Sequence, residues 1–319
     1  MGTELIVQEL SITADIMADF AAFIDGSPAT VNAYTNAIKQ FYKYLQAEGI
    51  TKPRPEDVRS YREQLKTYCK NTTVQNYIEA LKIFFKWTEQ RGIYPNIAEH
   101  IKGAKISTEF KKDYLTAEQL KRVLAAVNRN TAQGLRDYAL LVTMLTGSLR
   151  DVELHRANIE DIGTAAGHTV LYLEGKGRDD KAEYVKLPEE TEEALRAYLK
   201  SRKASAPTEP LFISLSNNSR GHRLTTRAIS GIVKGYLIKA GFNSARYTAH
   251  SFRHSGITLS LQGGNTLQEA QLYARHKSIN TTLKYAHNLK RSESKCAETI
   301  AEAVLRNNRK DFKNESNVN

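Results

Sequence analysis

Apolar side chains recur every three or four positions along almost all of this chain, and every second position over one short stretch only. The first spacing builds helices and the second builds strands. The chain therefore reads as mainly α with a small β-hairpin or sheet, an α+β arrangement. Ile12, Ile16, Phe20, Phe23 and Ile24 form one helical stripe. Ser27 and Pro28 read as the cap and first turn of a second helix. Its apolar face is Val31, Tyr34, Ile38, Phe41, Tyr42 and Leu45, and Gly49 stops it. A third helix fits Pro55 to Tyr68 through Val58, Tyr61, Leu65 and Tyr68. A fourth starts near Asn71, carries Val74, Tyr77, Ile78, Leu81, Phe84, Phe85 and Trp87, and ends at Gly92 and Pro95. Residues 1–106 thus form an all-helical unit, and 107–113, polar and basic, read as a linker.

The second unit opens with a capping box at Thr116 and Gln119 and a hydrophobic staple from Leu115 to Leu120. LRDYALLVTMLTG is apolar almost all round, so it reads as a buried helix. SLRDVEL follows and sets Arg150 against that buried region, where a charge needs a partner or a task. Glu153 is the natural partner. TVLYLE and AEYVKLP alternate around the turn EGKGRDDK, predicting a β-hairpin over 169–187 with Lys176 at its bend. Pro188 begins a Glu-rich helix reaching about Lys203. LFIS reads as a short strand, and Thr225 to Ala240 as a helix closed by Gly241. A last amphipathic helix is predicted over 291–306, with Ala297, Ile300, Val304 and Leu305. The second unit spans 114–306, and 307–319 is a polar tail.

The length of 319 residues suits two domains. Lys and Arg number 46 against 35 Asp and Glu, a net charge of +11. That surplus points to a polyanion, nucleic acid first. Cys69 and Cys296 stand far apart, which supports neither a zinc site nor a disulfide framework and suits a reducing, cytoplasmic compartment. MGTELIVQEL carries acidic residues and no sustained apolar core, unlike a signal peptide. Ile6 stands where a myristoylation site needs Ser or Thr. No apolar run approaches the roughly 20 residues of a membrane span, so no membrane partner is expected.

Thr248 to His287 concentrates the chemistry. His250 and Arg253, three apart in a helical segment, leave one face; His276 and Tyr285 follow. A phenol, a guanidinium and two imidazoles suit attack on a phosphodiester. Fixed cationic donors neutralise the charge that grows in the transition state. A phenol with a pKa near 10 needs neighbours that favour its deprotonation. By residue type alone, Tyr285 could equally pack in a core, and the arginines could form structural ion pairs. His254, beside Arg253, is left outside the set.

Arg150, Lys176, His250, Arg253, His276 and Tyr285, in this order, resemble the active-site set of the tyrosine recombinase family of phage integrases and Xer proteins. TGSLRDVEL is similar to its first-arginine box and EGKGRDDKAEYVKLP to its hairpin-lysine box. TAHSFRHSG matches its His-x-x-Arg box, and YARHKSINTTLKYAH the box that ends in the tyrosine. The likeness covers most of the chain, and four boxes in order make it specific. It implies a SAM-like core-binding domain and a catalytic domain clamping double-stranded DNA. In one departure, the family usually has Gly before the second histidine. This chain has Arg275, which would crowd the turn or add a phosphate contact.

The resemblance implies that Tyr285 attacks the scissile phosphate and forms a 3′-phosphotyrosyl link without ATP. Arg150 and Arg253 would clamp the non-bridging oxygens, since an arginine fork donates two hydrogen bonds and keeps its charge. Lys176 would protonate the leaving 5′ oxygen, with Arg178, Lys181 and Lys186 as competitors. His250 and His276 would bind the phosphate and assist proton transfer, and Glu153 would orient Arg150. The resemblance also implies a homo-tetramer on two recombination sites, with the last helix docked in cis or on a neighbour. An accessory DNA-bending protein and a nucleoid-associated location complete the picture. Carboxylates do not cluster in this set, so neither a metal nor another cofactor is expected. Site-specific recombination, for integration, excision or Xer-type resolution, is the function expected. The alternatives are a type IB topoisomerase, a DNA-binding protein with a decayed site, and a helical phosphatase or nuclease.

Overall fold

The computed structural model describes residues 9–105, 114–174, 181–204, 206–293 and 296–301. The chain divides into two compact units, Met1–Glu109 and Phe110–Asn319. The predicted linker at 107–113, the bend carrying Lys176, residues Val304 and Leu305, and the tail at 307–319 lie outside the described residues.

The first unit is helical, as its periodicity requires: α1 (Ala14–Phe23), α2 (Pro28–Ala47), α3 (Pro55–Tyr68) and α4 (Asn71–Gln90). Ser27 caps α2 by accepting the Thr30 amide, with Pro28 in the first turn. Gly49 and Gly92, both at φ 66, turn the chain after α2 and α4, a conformation open to glycine at no steric cost. Phe20, Ile38, Phe41, Tyr61, Leu65, Phe84, Phe85 and Trp87 form the core. The rings of Phe20 and Phe84 meet edge to face at 5.1 Å, a favoured aromatic geometry. Phe23 and Tyr68, assigned above to apolar stripes, are 46% and 68% exposed. Each is the last residue of its helix, where the helix leaves the core.

The second unit runs α5 (Ala117–Ala125), α6 (Ala132–Thr146), α7 (Asp151–Arg156), β1 (Ile162–Ala165), β2 (His168–Leu173), β3 (Glu183–Lys186), α8 (Glu189–Ser201), α9 (Thr226–Lys239), α10 (Ala249–Gln262), α11 (Leu267–Ala274), α12 (Ile279–Glu293) and α13 (Cys296–Ala301). The capping box of α5 is present: the Thr116 amide donates to Gln119 Oε1 at 2.9 Å, and the Gln119 amide to Thr116 Oγ1 at 3.3 Å. Helix α6 is buried almost all round and packs on α8 and α10. Its one charged pair, Arg136 with Asp137 at 2.6 Å, is enclosed with it, and Tyr236 Oη donates to Asp137 at 3.0 Å.

The predicted hairpin is β2 and β3, paired antiparallel with Leu171 opposite Val185. The sheet has a third strand that the alternating stretch did not reveal: β1 pairs antiparallel with β2, Ile162 opposite Leu171. The turn between them is Ala166 and Gly167, at φ 48 and 75, the two-residue geometry that matches strand twist. LFIS, by contrast, is no strand. It makes one isolated bridge, Ile213–Arg223, and a second, Asn158–Pro210, lies just before it, because the bonding here alternates between two separate loops: the Leu211 amide reaches Ala157 O, and Phe212 O accepts from Leu224. Over the range predicted for the last helix, the described residues place α12 through Glu293 and α13 from Cys296. Among the described residues no helix is long and apolar enough to cross a membrane.

Candidate active site

The site is built where α7, α10, α11 and α12 approach one another. Arg150 is the N-cap of α7. Its amide donates to Glu153 Oε2 at 2.7 Å and its Nη1 to Glu153 Oε1 at 2.6 Å. One carboxylate thus fixes both the backbone and the fork of Arg150, whose side chain keeps 32% exposure. Glu153 is 5% exposed. Burial pushes its carboxyl up, but Arg275, the Arg150 amide, and the charges of Arg150 and Arg253 outweigh this and hold it below the usual carboxylate range.

Helix α10 supplies His250, Arg253 and His254, at the helical spacing that shares a face. Arg253 is 1% exposed. Its Nη1 donates to Ser148 O and its Nη2 to Ala274 O. Arg150 Nη2 lies 3.5 Å from Arg275 O. The two guanidinium groups are therefore tied to successive carbonyls of the turn that leads into His276. Burial, with Arg150 and Arg275 nearby, lowers the Arg253 pKa to about 10, so its charge is retained at neutral pH.

His276 follows Arg275, which closes α11 in the left-handed conformation, φ 52 and ψ 47. His276 Nδ1 lies 2.9 Å from Thr282 Oγ1. Burial first, then Arg253, Arg150, Arg275 and His250, lower its pKa to about 4, so the imidazole is neutral at pH 7. Tyr285 on α12 is 5% exposed and packs with Ile257, Ala274 and Leu261. Burial raises its pKa against the pull of Arg253 and Arg150. Its ring lies 5.9 Å from His276 and 4.9 Å from His254, which in turn lies 4.5 Å from His250. Four rings thus form a continuous row.

Beside this row, a cleft of about 620 Å³ is lined by Arg150, Ser230, Lys234, Tyr247 and His250, among others. The structure brings Arg150, Glu153, His250, Arg253, His276 and Tyr285 together; Lys176 lies outside the described residues. Three neighbours were not singled out as site residues from sequence: His254, Thr282 and, in an inward role, Arg275. The spacing of His254 from His250, one helical turn, was the available signal. Nothing in the sequence pointed to Thr282. Among the described residues no group of three or more His, Cys, Asp or Glu is placed to hold a metal ion.

Residues 113–292 match the model of the phage integrase family, and residues 17–94 that of the phage integrase N-terminal SAM-like domain. The chain belongs to the phage integrase family. A tyrosine recombinase XerC of Pelobacter propionicus is 32% identical over 268 residues, 82% of this chain and 85% of that protein. A tyrosine recombinase of Synechococcus elongatus is 30% identical over 209 residues, covering 65% of this chain and 64% of its own length. Among solved structures, the XerH site-specific recombinase bound to palindromic difH substrate superposes with a TM-score of 0.69 at 22% identity, covering 83% of this chain and 79% of that one. A lambda integrase dimer bound to a core site gives 0.64 at 14% identity, covering 84% and 96%. These structures share the fold. The chain is a tyrosine recombinase, an enzyme of DNA recombination.

Proposed function

We propose that this recombinase cuts and rejoins duplex DNA at defined sites by two transesterifications, with Tyr285 as nucleophile. Tyr285 Oη attacks the phosphorus as the bond to the 5′ oxygen breaks, leaving a 3′-phosphotyrosyl ester and a free 5′ hydroxyl. Arg150 and Arg253 hold the non-bridging oxygens, with Glu153 orienting Arg150. Lys176 delivers the proton to the departing 5′ oxygen. His250 and His276 bind the phosphate, and neutral His276 takes the phenolic proton. An arriving phosphate adds negative charge to the cage, which raises the proton affinity of that imidazole. Attack by the freed 5′ hydroxyl of a second strand reverses each step and completes the exchange.

The observation that carries this reading is the tie of Arg253 and Arg150 to Ala274 O and Arg275 O, the carbonyls just before His276, with Tyr285 stacked beside that histidine. On a nicked duplex that loses its cleaved end, wild-type protein should accumulate a covalent complex. Tyr285→Phe should bind equally and form none; undiminished cleavage by that variant would remove the assignment. Relaxation of plasmids lacking any site would favour topoisomerase action instead, and EDTA-sensitive hydrolysis a nuclease.

We also take residues 1–106 as the core-binding unit, 107–113 as a linker along the DNA backbone and 114–306 as the catalytic unit. Four protomers then act on two sites in the cytoplasm, at the nucleoid, with an accessory DNA-bending protein setting direction. Ile300, 63% exposed on α13, supports docking of the last helix on a neighbour.

A further inference from the structure

We propose that Arg275 is a positioning residue that lets Glu153 orient Arg150 without cancelling its charge. The inference rests on the reading of the site as a phosphate cage. Arg275 occupies a left-handed backbone position, φ 52, where an L side chain is disfavoured and glycine is the easy choice. Two outcomes would be natural for so long a cation there: to point into solvent, or to reach for the substrate. It does neither. Its side chain is 5% exposed.

Arginine has five N–H donors in a fixed fork, and Arg275 meets five acceptors. Nε faces Glu153 Oε1 at 3.5 Å. Nη1 donates to Gly147 O at 3.2 Å and Tyr273 O at 2.8 Å. Nη2 donates to Ser148 O at 3.0 Å and Glu153 Oε2 at 3.1 Å. All its donors are used within the protein, so it has none to offer a phosphate.

The electrostatic consequence lies at Glu153. That carboxylate pairs with Arg150, and such a pair presents an incoming anion with little net charge. With Arg275 on the other side, three guanidinium groups (Arg150, Arg253 and Arg275) face one carboxylate. Orientation of Arg150 is then obtained without surrendering the cage's positive charge. The same side chain binds Ser148 O, which also accepts from Arg253 Nη1. Ser148 is itself left-handed, at φ 43. Arg275 thus ties the loop before Arg150 to the turn before His276.

The charged and titratable groups acting on His276 are Arg253 and His250 from α10, Arg150 at the cap of α7 and Arg275 beside it, with the Tyr285 ring from α12 stacked on it. Removing one cation from this set should let His276 take up a proton at higher pH.

The test is the rate of covalent-complex formation on a nicked duplex, measured with enzyme in excess, alongside DNA affinity by anisotropy and the His276 titration by NMR. Arg275→Gly suits the left-handed turn and should fold. It should slow the covalent step by about 100-fold, the scale of a misplaced catalytic group, at nearly unchanged DNA affinity, and raise the His276 midpoint above about 4. Arg275→Lys, which keeps the charge, should recover part of the rate. The decisive protein carries Arg275→Gly and Glu153→Gln together. Glutamine keeps the shape of Glu153 without its charge, so the double variant should cleave faster than Arg275→Gly alone. A merely structural Arg275 would leave the double variant no faster than Arg275→Gly, because neutralising Glu153 does not restore the tie between the two turns; non-additivity alone decides nothing, since the two side chains touch. Wild-type rate in Arg275→Gly, or a double variant no faster than Arg275→Gly, would overturn the inference while leaving the assignment of Tyr285 intact. If wild-type protein forms no Tyr285-dependent adduct, the cage reading itself falls, and this inference with it.

Discussion

Arg253 and His276 occupy the same electrostatic environment and answer it differently. Arg253 keeps its charge because even a pKa lowered to about 10 stays above neutral pH. His276 loses its charge because burial and three arginines bring it down to about 4. An imidazole with a folded pKa below its unfolded value near 6.5 binds fewer protons when folded. Its contribution to stability is therefore complete above about pH 6.5 and is lost as the pH falls toward 4. Urea unfolding across this window should show a steeper loss for wild-type protein than for His276→Gln. Equal slopes would mean that His276 is not held neutral. Lys176 rests on the resemblance. Lys176→Ala should lose cleavage on ordinary DNA and regain it on a substrate whose 5′-bridging oxygen is sulfur, which leaves without protonation; absence of rescue would move the acid elsewhere. The charged members of the set were legible because their identities and order were unusual. Arg275 was visible as a departure, but its direction was not, since sequence does not reveal that a backbone turn aims a fork inward.

The elements around the site depend on close approach between α10 and the turn after α6. A Cβ on Gly256 would lie 2.3 Å from Ser148 Oγ and 2.7 Å from the backbone oxygen of Leu145. The hydroxyl can rotate away, but the carbonyl closes the last turn of α6 and cannot. Gly256→Ala should therefore destabilise by about 1–3 kcal/mol, the usual range for overpacking. Gly235, on α9, has nothing within 4 Å of the same added atom. Gly235→Ala should stabilise by roughly 0.5–1 kcal/mol through helix propensity alone. Thermal melts of the two variants should move in opposite directions, and a shared direction would deny the close packing at Gly256. Four helices of the first unit, with the start of α5 and the β2–β3 hairpin, were legible because each was written in its own periodicity and caps. Strand β1 was not: four residues joined by Ala166–Gly167 are too short to alternate visibly, and their pairing is decided by β2. LFIS had the composition of a strand but lacked a neighbouring ladder, a fact of tertiary structure that no local pattern carries.

At the scale of the whole molecule, the net charge of +11 and the cage separate two quantities that one assay can confuse. Affinity for DNA should come mostly from many phosphates, each released counterion adding to the salt dependence. Rate should come from a single phosphate and the groups around it. If the protein contacts about 6–10 phosphates of the duplex, binding should weaken by roughly 10³–10⁵ between about 50 and 200 mM salt. Tyr285→Phe, which changes no charge, should follow the same line as wild-type protein while forming no covalent complex. Arg150→Ala, which removes one phosphate partner, should shift the logarithmic slope by about one unit and lose cleavage far out of proportion to its loss of binding. Anisotropy titrations over a salt series would measure all three. A flat salt response in wild-type protein would mean that the surplus of lysine and arginine serves something other than the DNA backbone. A parallel loss of binding and cleavage in Arg150→Ala would mean that Arg150 holds the duplex and not the transition state.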